Sequence, residues 1–65
     1  MWKIDEYGNA KNPETEEEFY TILFPDGIFR VYHDSKIIAA FHNLVDADNF
    51  IKEKVAELES EKNDK

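Results

Sequence analysis

Glu18-Phe19-Tyr20-Thr21-Ile22-Leu23-Phe24-Pro25-Asp26-Gly27-Ile28-Phe29-Arg30-Val31-Tyr32-His33 is the stretch on which the fold turns. Its first seven residues are rich in aromatic and β-branched side chains, which suit a pleated, half-buried surface. Pro25 presets φ for the first corner of a turn, and Gly27 can take the left-handed position that closes it. The reading is a hairpin with a three-residue loop. That loop fixes the register: Phe24 opposite Ile28, Ile22 opposite Arg30, Tyr20 opposite Tyr32.

Working outward, Asp34-Ser35-Lys36 is a second turn candidate leading into a third strand, Ile37-Ile38-Ala39-Ala40-Phe41-His42. Asn43 can accept a hydrogen bond from an orphan amide at a helix start, and Asp46 and Asp48 put negative charge at the positive end of the dipole. Leu44, Ala47, Phe50, Ile51, Val55 and Leu58 then recur at the i, i+3, i+4 spacing of one apolar helical stripe. Asp48, Asn49, Lys52, Glu53, Glu57 and Glu61 are expected on the other side of that helix. Upstream, Trp2 and Ile4 alternate with Lys3 and Asp5, as in a short strand, while Tyr7-Gly8-Asn9 and Asn12-Pro13 carry turn chemistry. Glu14 to Glu18 reads as a solvated linker or one helical turn.

The expected fold class is α+β, in a single domain over 1–65. A three-stranded antiparallel β-meander spans 18–42, with room for a fourth short N-terminal strand. One C-terminal amphipathic helix over 44–60 packs on one face. Residues 1–17 form an acidic N-terminal segment and 61–65 a polar tail.

Register divides the side chains between two faces. If Asp34-Ser35 is a two-residue loop, one face holds Tyr20, Ile22, Phe24, Ile28, Arg30, Tyr32, Ile37, Ala39 and Phe41; a three-residue turn would exchange Ile37, Ala39 and Phe41 for Ile38, Ala40 and His42. The other holds Phe19, Thr21, Leu23, Phe29, Val31, His33, Ile38, Ala40 and His42. Both are apolar, and one helix covers one. The second face is the more aliphatic and is expected to take the helix. The first keeps two tyrosines and an arginine among apolar neighbours, a composition enriched at protein interfaces. Tyr20, Ile22, Arg30, Tyr32, Ile37 and Phe41 are therefore the candidate partner-binding residues. The competing arrangement has Trp2, Ile4 and Tyr7 folded back over that patch to complete an ordinary core.

Charge is the main global feature: 15 acids against 8 bases, a formal net charge of −7. Residues 1–18 set two lysines against six acids, 19–43 are balanced, and 44–65 set four lysines against seven acids. Glu14, Glu16, Glu17 and Glu18, with Asp48, Glu53, Glu57 and Glu61, form the candidate acidic surface. Such a chain repels phosphate backbones, so direct nucleic-acid binding is disfavoured. The N-terminus lacks a basic-then-apolar leader pattern and no apolar run reaches the length of a membrane helix, so the expected setting is cytoplasmic.

Chemistry is sparsely represented. With no cysteine, disulfides and thiolate metal sites are excluded. Ser35 and Ser60 lack a nucleophile elbow, the two glycines form no phosphate-cradling loop, and Asp46-Ala47-Asp48-Asn49 lacks the glycine and distal glutamate of a calcium loop. His33 and His42 sit on separate strand ends with no acid pair beside them, so no metal or other cofactor is expected. The sequence thus points to a small acidic non-enzymatic protein-binding module: an adaptor or inhibitor for a protein partner with a basic surface. One version is a nucleic-acid mimic of the phage or mobile-element type. The alternatives are a homodimer or small subunit of a larger assembly, and single-strand nucleic-acid binding on the aromatic face.

Overall fold

The computed structural model describes residues 1–63, and side chains through residue 60. In chain order the elements are β1 (Lys3–Ile4), β2 (Ala10–Lys11), β3 (Glu18–Leu23), β4 (Phe29–His33), β5 (Lys36–Phe41) and α1 (Leu44–Asn63). The strands form one antiparallel sheet in the order β1-β2-β3-β4-β5. The fold is α+β, but the meander has five strands rather than three or four. The helix continues through Asn63 instead of stopping at residue 60, since no glycine or proline interrupts it. Residues 64 and 65 of the expected tail lie outside the described part.

The central hairpin follows from its turn. The Phe24 amide donates to the Ile28 carbonyl at 3.0 Å, Gly27 has φ of 83°, and Asp26 Oδ1 accepts the Ile28 amide at 3.0 Å. Tyr20 pairs with Tyr32 and Ile22 with Arg30. At the second turn Asp34 and Ser35 both take positive φ, 51° and 80°, the primed geometry whose twist matches the flanking strands. His33 consequently pairs with Lys36 and Tyr32 with Ile37.

Beyond that point β5 departs from a straight ladder. Val31 pairs with Ala39, Arg30 with Ala40 and Phe29 with Phe41, so Ile38 is an extra residue in a bulge. A bulge moves every later side chain to the opposite face. Ala39 and Phe41 therefore lie on the helix side and Ala40 takes the outer position, the faces expected of a three-residue turn, although Ile37 stays outside as the two-residue turn requires. Phe41 packs against Phe50 of α1, ring centroids 5.5 Å apart.

The N-terminal segment is ordered by its own turns. Asp5 Oδ1 accepts the amides of Tyr7 and Asn9 and closes the β1–β2 turn. The Asn9 side chain accepts the Thr21 amide, extending the ladder past the end of β2. Residues 12–17 form a closed loop, not a linker or helical turn. Asn12, only 5% exposed, donates its amide to the Glu17 carbonyl and accepts the Glu16 amide, and Glu16 takes a φ of 65°.

One core lies between the sheet and α1. Trp2, Ala10, Phe19, Val31, Ala47, Ile51 and Val55 are buried there, with Phe29, Ala39, Phe41, Phe50 and Leu58 packed around them. Trp2 sits on the helix side: its ring lies 5.3 Å from that of Phe19 and its amide donates to Glu59 Oε2 at 3.0 Å. Asn43 caps α1 by accepting the Asp46 amide at 2.9 Å, while its side-chain amide donates to Asp46 Oδ2.

Two substitutions test this packing. Trp2→Ala removes a large buried ring at a cost of about 3–5 kcal/mol, comparable to the whole stability of so small a domain. Far-ultraviolet circular dichroism should show a mostly unfolded chain at room temperature. Gly8 has φ of 85°, and the Asp48 carboxylate occupies the space a Cβ would need. Gly8→Ala should cost about 1–2 kcal/mol from the left-handed backbone alone. Urea denaturation should show a smaller loss when Asp48 is also replaced by alanine, because the steric part is then relieved.

Candidate functional site

The registers place Lys3, Lys11, Glu18, Tyr20, Ile22, Arg30, Tyr32, Ile37 and Ala40 on the sheet face away from the helix. The Tyr20 and Tyr32 rings stack across β3 and β4, centroids 5.1 Å apart and nearly parallel at 2°. Ile22 and Ile37 flank them, 43% and 53% exposed. Five of the six expected partner-binding residues therefore share this face, and Phe41 does not. Trp2 docks on the opposite side and Tyr7 is exposed, so the N-terminal segment extends the sheet without covering the tyrosines.

Arg30 is held within its own hairpin. Its guanidinium makes two hydrogen bonds to Asp26, at 2.9 and 3.2 Å, and lies 4.3 Å from the centre of the Phe24 ring. The hydrogen bond from Arg30 holds the Asp26 carboxyl below the usual carboxylate range, and the bond from the Ile28 amide acts in the same direction. Lys11 faces Glu18 across the β2–β3 ladder. Most charges on this face thus have neighbours of opposite sign, and its centre is aromatic and aliphatic. A shallow groove of about 420 Å³ crosses it, lined in part by Lys3, Lys11, Glu18 and Tyr20. Lys3 and Lys11 escaped the sequence reading because β2 did; the Tyr7-Gly8-Asn9 turn between Ile4 and Ala10 was the available signal for that hairpin.

The expected acidic surface is divided. Glu14 lies 3.7 Å from the N-terminal amine, Glu16 is exposed on the 12–17 loop, and Glu18 borders the tyrosine face. Glu17 turns toward His33. On the helix, Glu53 and Glu57 are exposed, and Glu57 lies 4.0 Å from Lys54 Nζ. Asp48 departs from expectation: it is half-buried against Gly8, with Oδ1 lacking a hydrogen-bond partner among the described residues. The Glu61 side chain lies outside the described part.

A second feature was not legible in the sequence. Folding brings Glu17 and Asp34 to His33: Nε2 lies 3.6 Å from Glu17 Oε2 and 3.5 Å from Asp34 Oδ2. The imidazole stacks on Phe19 at 4.4 Å. His33 also lines a groove of about 430 Å³ between the sheet and α1, with Phe19, Ile38, Phe50, Lys54 and Leu58.

Comparison of the chain with protein-family models, curated proteins and solved structures finds no match. No described helix is long and apolar enough to cross a membrane.

The Arg30–Asp26 contact has an acid signature. Because the folded-state pKa of Asp26 is lowered, the contact's stabilisation is present above the unfolded value of about 3.9 and lost as pH falls through the folded value. The difference in melting temperature between the native chain and Asp26→Asn should therefore shrink on acidification below about pH 4.

Proposed function

We propose that this protein is a non-enzymatic binding module that seats the outer face of its sheet on a protein partner. One observation carries the reading: α1 and Trp2 both pack on one side, leaving the Tyr20–Tyr32 stack with Ile22 and Ile37 uncovered on the other. Stacked tyrosines offer large contact area at small entropic cost, because their rotamers are already restrained by each other. The Asp26–Arg30–Phe24 cluster restrains one border of the patch in the same way. The favoured partner carries an apolar patch at the contact and a basic surface around it. The net charge of −7 steers such a partner in from a distance, although the acids on α1 lie across the sheet from the tyrosines.

The nucleic-acid-mimic version has weaker support. Its carboxylates are split between the 12–17 loop and the helix, Glu14 and Glu17 each lie against a positively charged or titratable neighbour, and Asp48 is half-buried.

The test is affinity purification from the source cell, followed by binding measurements with substituted chains. Ile37→Glu and Tyr32→Ala should weaken partner binding at least tenfold while circular dichroism shows the sheet intact. Glu53→Lys, on the far side of the helix, should mainly alter the association rate and its salt dependence. The proposal fails if Glu53→Lys abolishes binding while both sheet substitutions leave it unchanged. Sedimentation at micromolar concentration checks self-association, and a dimer that Ile37→Glu dissociates would replace the adaptor reading with a homodimer.

A further inference from the structure

We infer that Glu17, His33 and Asp34 form a binding site for one divalent transition-metal ion of the zinc class. The three residues come from different parts of the fold: the end of the 12–17 loop, the last position of β4, and the first corner of the β4–β5 turn. Each offers one donor atom, and the three atoms lie within 4.8 Å of one another.

The geometry suits an ion. Zinc bonds of about 2.1 Å at the tetrahedral angle set neighbouring donors about 3.4 Å apart. The distances from His33 Nε2 to the two carboxylate oxygens are 3.5 and 3.6 Å, close to that edge length and too long for direct hydrogen bonds. His33 Nε2 is shielded from solvent and has no hydrogen-bond partner among the described residues.

Each donor is also held from behind. Asp34 Oδ1 accepts the Glu18 amide at 3.0 Å, which leaves Oδ2 as the oxygen nearer His33. Glu17 Oε1 accepts the Thr15 hydroxyl at 3.0 Å, which leaves Oε2 in the same relation. The stack on Phe19 fixes the plane of the imidazole. Such supporting contacts orient ligands at established metal sites. One imidazole and two carboxylates select zinc-like ions over calcium, which requires six to eight oxygens, and leave a fourth position for water.

Isothermal titration of the full chain with zinc alone, alongside melting curves, tests the assignment. The native chain should bind one zinc ion and melt at a higher temperature in its presence. His33→Gln, Glu17→Gln and Asp34→Asn should each weaken zinc binding at least tenfold, with the melting temperature no longer responding to zinc. His42→Gln should leave binding unchanged, and calcium or magnesium should not compete. Cobalt offers a second readout, because coordination at low symmetry gives it a visible absorption band that His33→Gln should remove. Two results would overturn the inference: no zinc uptake by the folded native chain, or uptake that the three ligand substitutions leave intact.

Discussion

A helix about 10 Å across cannot span a five-stranded sheet about 19 Å wide, and the arrangement of this molecule follows from that mismatch. α1 runs against β3, β4 and β5, where Ala47, Ile51 and Val55 meet Phe19 and Val31. The strip beyond the helix would be open to water on that side as well. Trp2 closes it. Its ring reaches Phe19, and its amide is tied to Glu59 on the helix, so the first residues of the chain and the latter half of α1 hold each other. A chain of 65 residues without cysteine has no covalent staple to fall back on, and this contact between its two ends takes that place.

The bulge at Ile38 serves the same economy of apolar surface. In a straight β5, Phe41 would face away from the helix and Ala40 toward it, leaving Phe50 opposite a methyl group. One extra residue exchanges them, so that Phe41 packs on Phe50 and Ala40 is turned outward. β5 is an edge strand, where an unpaired residue disturbs only one ladder. The exchange also decides how much apolar surface remains outside. It removes Phe41 from the outer face, leaving Tyr20, Ile22, Tyr32 and Ile37 as its centre.

Local chemistry made the hairpins and the helix readable. Pro25-Asp26-Gly27 specifies its loop almost alone, and Asn43 marks the helix start because it satisfies an amide within three residues. The features that were not readable depend on distant partners. β2 is one: Ala10–Lys11 is a strand only because Phe19 and Glu18 lie beside it, whereas β1 was already visible in the alternation of Trp2 and Ile4 with Lys3 and Asp5. The bulge is chosen by packing against a helix that begins three residues after β5 ends. The Glu17–His33–Asp34 cluster joins Glu17 to the adjacent pair His33-Asp34, 16 and 17 residues on, through β3–β4 pairing, and spacing along the chain does not announce it.

These dependences make the two faces of the sheet physically unlike. On the helix side, most large side chains have partners from other elements, so a substitution there is felt as lost packing. On the outer side, the contacts are between neighbours along or across the strands: Tyr20 on Tyr32, Arg30 on Phe24 and Asp26, Lys11 opposite Glu18. Such contacts restrain side chains while leaving them partly exposed. A surface that is restrained yet still solvated loses little entropy when something covers it, and it gains the burial that the fold itself left undone. With the only described helix and Trp2 both on one side, the tyrosine face has no layer of the fold over it, and the proposed binding role rests on that.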